Sequence, residues 1–259
     1  MFKFLKMFIF SRTYKQIVIS GLLLISAEVN PAFIYASDSP RYQSGYLMPL
    51  GDSLTLGDSS SDGFAYRKYL QDLLGVFTYR FVGSKATGTL QGYQTAVSGR
   101  SGCTSAYLKE FIPKEIQTQF TRRDKGLVLL HTGTNDIRMD LDPDVSVRNI
   151  LDIINVIDSY NPGIKIYVAY PIPVIDKLNQ SAEFRQRLKT ALMERKKTKN
   201  NLFTVDMYQA FIKDTTGLCE GNFENCMEDA FHPLENGFFV MAIVWYRSII
   251  DCKGYALCE

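Results

Sequence analysis

Histidine is nearly absent from this sequence: His131 and His232 are the only two in 259 residues. So few ring nitrogens, with no close His/Asp ligand cluster, speak against a zinc centre. They also reduce the search for a general base to two side chains. No apolar run reaches the roughly 20 residues that a membrane-spanning helix needs. Internal repeats, a linker, a low-complexity block and a Gly-rich phosphate-cradling loop before a helix are missing too. Excess charge is small, with 29 basic residues against 27 acidic ones.

That small surplus comes from the first residues. Lys3, Lys6, Arg12 and Lys15 open the chain, an apolar run from Ile17 to Ile25 follows, and small residues stand at Ala27 and Ala36. This is the layout of a secretory signal peptide. The expected cut follows Ala36, with Ala27 as second choice and an uncleaved anchor as the alternative. Residues 1–36 hold four of the basic residues and one acid, Glu28, leaving 25 and 26, a net of −1. A nearly neutral mature chain gives no reason to expect a nucleic-acid partner. The expectation is therefore a secreted, periplasmic or extracellular protein with no stable membrane insertion once the signal is removed. Residues 37–259 would form one domain, long enough for a full α/β core.

Five cysteines agree with export. Cys219 and Cys226 lie close together, as do Cys252 and Cys258, and each pair can close a short disulfide loop, although sequence alone does not fix the connectivity. Cys103 is left over and reads as a packed, inert thiol.

Short apolar runs predict strands at Tyr46–Leu50, Tyr79–Val82, Leu127–Leu130, Ile164–Tyr170 and, more weakly, Leu202–Val205. Between them Val147, Ile150, Leu151, Ile154 and Ile157 repeat at helical spacing up to the stop Asn161-Pro162-Gly163. Phe184, Leu188, Ala191 and Leu192 mark another helix, with a basic outer face from Arg185 to Lys199, and Glu235 to Ile250 a last, strongly apolar one. Strand–helix alternation predicts an α/β fold: a three-layer α/β/α sandwich on a mainly parallel, about five-stranded, flavodoxin-like sheet.

Reacting groups in such sheets belong at the carboxyl ends of the strands. Gly51-Asp52-Ser53-Leu54 follows the first strand and places Ser53 on a turn among free backbone N–H groups, which favour developing negative charge. Gly133-Thr134-Asn135-Asp136 follows the third, where an amide can donate to an oxyanion or simply cap a turn. Asp229-Ala230-Phe231-His232-Pro233 precedes the last helix and sets a carboxylate three residues before an imidazole. His131, within a buried strand, reads as a core residue, which leaves His232 as the candidate base.

In that order these segments resemble the sequence blocks of the GDSL or SGNH hydrolases, over nearly all of the mature chain from Met48 to about Ile250. The resemblance implies a carboxylic ester hydrolase with Ser53 as nucleophile, His232 and Asp229 completing a triad, and no metal or organic cofactor. It further implies an oxyanion hole from the Ser53 N–H, the Asn135 side chain and a second-block glycine. Ser98-Gly99-Arg100-Ser101-Gly102-Cys103-Thr104 offers two glycines; Gly102 fits the Ser-Gly-x-Thr pattern better, and Gly99 stays open. Met48–Thr55, Tyr66–Leu70 and Phe81–Ser84 look in detail like the branch containing acetyl xylan esterases. Phe64 and Ala65 depart from its usual Gly-Tyr-Arg, and Val97-Ser98-Gly99 from its usual Glu-Gly. The implied substrate is a small-molecule or polysaccharide acyl ester, and the implied activity is carbohydrate O-deacetylation. A lipid acyl esterase of lysophospholipase type comes second, and an inactive sugar-binding protein on the same fold third.

Overall fold

The computed structural model describes residues 44–76 and 78–251, all within the unit Pro40–Glu259. The signal-peptide reading and the Cys252–Cys258 pair fall outside the described residues.

The chain alternates strand and helix as its apolar runs require. It begins with β1 (Tyr46–Gly51), α1 (Ser53–Leu56), α2 (Tyr66–Leu74), β2 (Arg80–Phe81), β3 (Lys85–Ala86) and β4 (Ala96–Gly99). Next come α3 (Ser105–Gln119), β5 (Gly126–His131), α4 (Thr134–Arg138), α5 (Pro143–Tyr160) and β6 (Ile164–Tyr170). It closes with α6 (Leu178–Lys196), β7 (Leu202–Asp206), α7 (Met207–Ile212) and α8 (Glu235–Asp251).

The strands form one sheet in the order β3-β4-β1-β5-β6-β7, parallel except for the short antiparallel pair β3–β4. On the edge of β1 away from β5, β2 pairs with Tyr46 and Leu47 and β4 with Leu50 and Gly51. The sheet therefore has seven strands rather than about five. The two extra ones, β3 and β4, are short and pair over two residues each with their neighbours, so they carry no apolar run to read.

Strand alternation divides the core in two. Leu47, Leu129, Tyr167 and Ala169 face α2, α7 and α8, where Trp245 is fully buried; Met48, Val128, Ile166 and Val168 face α3, α5 and α6. Both faces are covered, as an all-apolar parallel sheet demands. The layers leave one exit for polar chemistry, the loops beyond the carboxyl ends of β1, β4, β5 and β6. Among the described residues no helix is long and apolar enough to cross a membrane.

Candidate active site

Ser53 stands where β1 turns into the four-residue helix α1 and is 5% exposed. Asp52 caps that helix by accepting from Leu54 N–H at 3.1 Å. Burial, with Asp136 nearby, raises the Asp52 carboxyl to about 7. The other end of α1 is gripped by Arg67. Its wholly buried guanidinium donates to Thr55 O at 3.2 Å and Leu56 O at 3.1 Å, and burial lowers its pKa to about 10. A cation on the last carbonyls is favourable there because those groups carry the negative end of the helix dipole. The nucleophile candidate thus sits on a helix fixed at both ends.

The second and third segments lock together beside it. Asn135, in α4, donates from Nδ2 to Cys103 O at 3.0 Å, which leaves its second amide hydrogen free. Asp136 accepts from the N–H of Ser105 at 2.9 Å and from its hydroxyl, tying α4 to the start of α3. The turn before α4 needs Gly133: its φ is +114°, and a Cβ would lie 2.7 Å from the Phe184 ring. The two glycines of the second segment separate cleanly. Gly99 is pressed against α1, where a Cβ would come within 2.5 Å of Leu56 N. Gly102 is exposed, has φ +68°, and a Cβ there would meet nothing within 4 Å. Gly99 is a packing glycine, whereas Gly102 faces open space. Cys103 lies buried between these parts, and burial pushes its thiol far up, so it is an inert packing group.

The third segment curls back on itself. Asp229 Oδ1 accepts from the N–H groups of Phe231 at 2.8 Å and His232 at 2.7 Å, and its Oδ2 lies 2.8 Å from His232 Nδ1. Burial works against the Asp229 charge, yet these hydrogen bonds outweigh it and hold the carboxyl below its ordinary value. An ionised carboxylate only accepts, so His232 meets it with a proton on Nδ1 and turns Nε2 away from Asp229. Three contacts bring this loop to the carboxyl face of the sheet. Ala230 O accepts from Ile175 N–H at 2.7 Å beyond β6, and Phe231 stacks under Arg138 at 4.7 Å beyond β5. Glu235 accepts from the Ser61 N–H and the Tyr69 hydroxyl, each at 2.8 Å, beyond α1. No hydrogen bond joins Ser53 to His232. Such bonds are often long in unliganded enzymes and tighten on substrate. The disulfide Cys219–Cys226 braces the same loop, since Cys226 O accepts from Leu234 N–H at 2.8 Å. The sequence reading missed Phe231, whose ring lies 4.2 Å from that of His232, as well as Arg138 and Glu235. Spacing held a signal for two of them: Phe231 lies inside the Asp-x-x-His turn and Arg138 one helical turn after Asn135, whereas Glu235 acts through long-range contacts to Ser61 and Tyr69.

The family model described as the GDSL-like Lipase/Acylhydrolase family matches residues 50–238. The chain belongs to this family. As a GDSL-like acylhydrolase it is a carboxylic ester hydrolase. Solved structures agree in fold. A family 3 carbohydrate esterase from Clostridium thermocellum is similar at TM-score 0.65 and 21% identity, over 80% of this chain and 96% of its own. A carbohydrate esterase family 3 protein from Talaromyces cellulolyticus gives 0.65 and 19%, over 80% and 97%. Axe2, an acetylxylan esterase from Geobacillus stearothermophilus, gives 0.60 and 17%, over 81% and 96%. No curated protein matches this acylhydrolase in sequence.

Proposed function

We propose that this acylhydrolase is an exported serine esterase that removes O-acetyl groups from carbohydrate. The observation that carries the reading is the His232 Nδ1–Asp229 Oδ2 contact of 2.8 Å, in a loop held to the sheet face where Ser53 and Asn135 stand. Ser53 Oγ attacks the acyl carbonyl while His232 Nε2 takes its proton, and Asp229 steadies the imidazolium that forms. The oxyanion is held by the N–H groups of Ser53 and Gly102 and by the free amide hydrogen of Asn135, each donor worth about 3–4 kcal/mol of barrier. His232 then protonates the leaving alcohol, and water releases acetate by the reverse path. The fold-level likeness to carbohydrate esterases supports the sugar alcohol. Export, a signal in residues 1–36 and a single domain over 37–259 remain part of the proposal, supported by the Cys219–Cys226 disulfide.

Met139, Leu141 and Leu234, exposed and close in sequence to Asn135 and His232, favour a second reading, a lipid acyl esterase of lysophospholipase type. An ester series from acetate to palmitate, run beside Ser53→Ala, separates the two. Ser53-dependent turnover that collapses beyond butyrate supports the deacetylase, and a preference for long chains supports the lipid enzyme. Full activity in Ser53→Ala would sink both.

A further inference from the structure

Charges in the loops after β4 and β5 divide unevenly. In residues 132–142 every carboxylate is engaged: Asp136 by Ser105, Asp140 by Lys177 at 2.5 Å, and Asp142 by the N–H groups of Asp144 and Val145. The arginines of the two loops, Arg100 and Arg138, have no carboxylate partner among the described residues. The basic helix α6 shows the ordinary alternative, with Arg185 on Asp206 and Arg187 on Asp144 and Glu183.

Each free guanidinium is instead laid on a phenyl ring. Arg138 lies 4.7 Å from the centroid of Phe231, the ring against His232, and Arg100 lies 4.1 Å from that of Phe111. Stacking occupies the π face and leaves the in-plane N–H groups for a planar acceptor. Among the described residues Arg138 donates to no acceptor, while Arg100 gives one bond to Ser84 Oγ at 3.2 Å and has its Nε buried without an acceptor. In the sheet, β4 and β5 flank β1, the strand that delivers Ser53, and Arg100 N–H donates to Gly51 O at 3.0 Å. Two ring-stacked guanidiniums without a carboxylate partner thus belong to the segments that follow the strands on either side of the nucleophile's strand.

We propose that Arg138 and Arg100 bind a carboxylate on the alcohol part of the substrate, so that the enzyme deacetylates a uronate-bearing saccharide. This rests on the deacetylase reading above. The acetyl group itself has no charge to offer, which places the anion on the sugar side of the scissile ester.

The test compares kcat/KM on O-acetylated oligogalacturonate and O-acetylated xylo-oligosaccharide of equal length, at low and high salt. The acidic substrate is expected to win by about tenfold, the order expected for one or two exposed charge-assisted contacts. The preference should shrink with salt and fall toward unity in Arg100→Gln/Arg138→Gln. Arg100→Lys/Arg138→Lys, which keeps the charges, should retain part of it. A flat ratio in the wild type, or a preference unchanged in the Gln pair, overturns the proposal. So does faster turnover of a lysophospholipid than of either sugar, since the anion would then be a phosphate. Ser53→Ala keeps the two failures apart: if it abolishes turnover while the ratio is flat, only the uronate assignment falls, and if it stays active, the esterase reading itself falls.

Discussion

His131 closes β5 with its ring fully buried and, among the described residues, no hydrogen-bond partner for either nitrogen, while His232 sits in a half-buried loop with Nδ1 on a carboxylate. Both stand at the carboxyl end of the sheet, and His131 pairs in the β1–β5 ladder with Gly51, two residues before Ser53. Burial lowers its pKa from 6.5 to about 4, so it stays neutral, and no acceptor selects a tautomer. A place beside the nucleophile's strand therefore does not by itself make a base. A base needs an orienting acceptor as well, and of the two histidines His232 has one, in Asp229.

The sharpest way to break this contrast is to exchange the losses. His232→Ala is expected to lower kcat by about 10⁴-fold or more while leaving the fold intact. His131→Leu, which fills the site without the unpartnered nitrogens, should stay within a few-fold of wild-type activity. Ester hydrolysis by both variants, with circular dichroism to check folding, decides it. An inactive, folded His131→Leu would reverse the assignment. Next in size is Asn135→Ala, expected to cost roughly 10²–10³ in kcat, the usual loss for one oxyanion donor. If KM rises instead while kcat holds, Asn135 binds substrate in the ground state and does not meet the oxyanion.

The buried histidine has its own signature in stability. A depressed folded pKa means that the unfolded chain takes up the proton first as pH falls. Stability from His131 is thus complete above 6.5 and is lost on acidification toward 4, amounting to about 3 kcal/mol. Denaturant midpoints for wild type and His131→Leu should diverge across that window and run parallel above it. Asp52 works in the opposite direction: its raised carboxyl favours the folded state below 3.8, and that stability is lost as pH rises from 3.8 to about 7. Asp52→Asn, which keeps an oxygen for Leu54 N–H, should flatten the loss between pH 3.8 and about 7.

Much of this was legible in the residues, for physical reasons. The five strands read from apolar runs all exist; β1, β5 and β6 are apolar because both their faces are buried, while the second shrinks to Arg80–Phe81. Helices α5, α6 and α8 were read as well, since their period is enforced by one face of the core. β4 escaped because four residues containing Ser98 and Gly99 owe their strand to pairing with β1 and not to composition. Helix α3 escaped because Pro113 and a weak stripe hide it, though Leu108, Ile112 and Ile116 are buried. The order of Ser53, Asn135 and His232 was visible, but what holds them was not. Arg67 on the end of α1 and Glu235 across to Ser61 and Tyr69 are long-range contacts that no local spacing announces.

The smallest effect concerns how the two histidines are supported. His131 is held by the β5 ladder, which needs no help. His232 depends on a loop whose neighbour Cys226 is bonded to Cys219 and whose exit, Leu234 N–H, hangs on Cys226 O. The disulfide closes a short loop, worth about 2.5 kcal/mol in the chain-entropy picture, or roughly 5–10 °C in Tm for a domain of this size. Cys219→Ser/Cys226→Ser should therefore lower Tm by that amount and reduce kcat a few-fold. Amide exchange should quicken around Phe231 and His232 while the β5 amides keep their protection. If exchange rises equally in β5, the bridge stabilises the whole domain and not the loop, and the drop in activity would then follow the unfolded fraction. If exchange rises only in the loop, the cross-link serves mainly to keep a mobile base beside a rigid nucleophile.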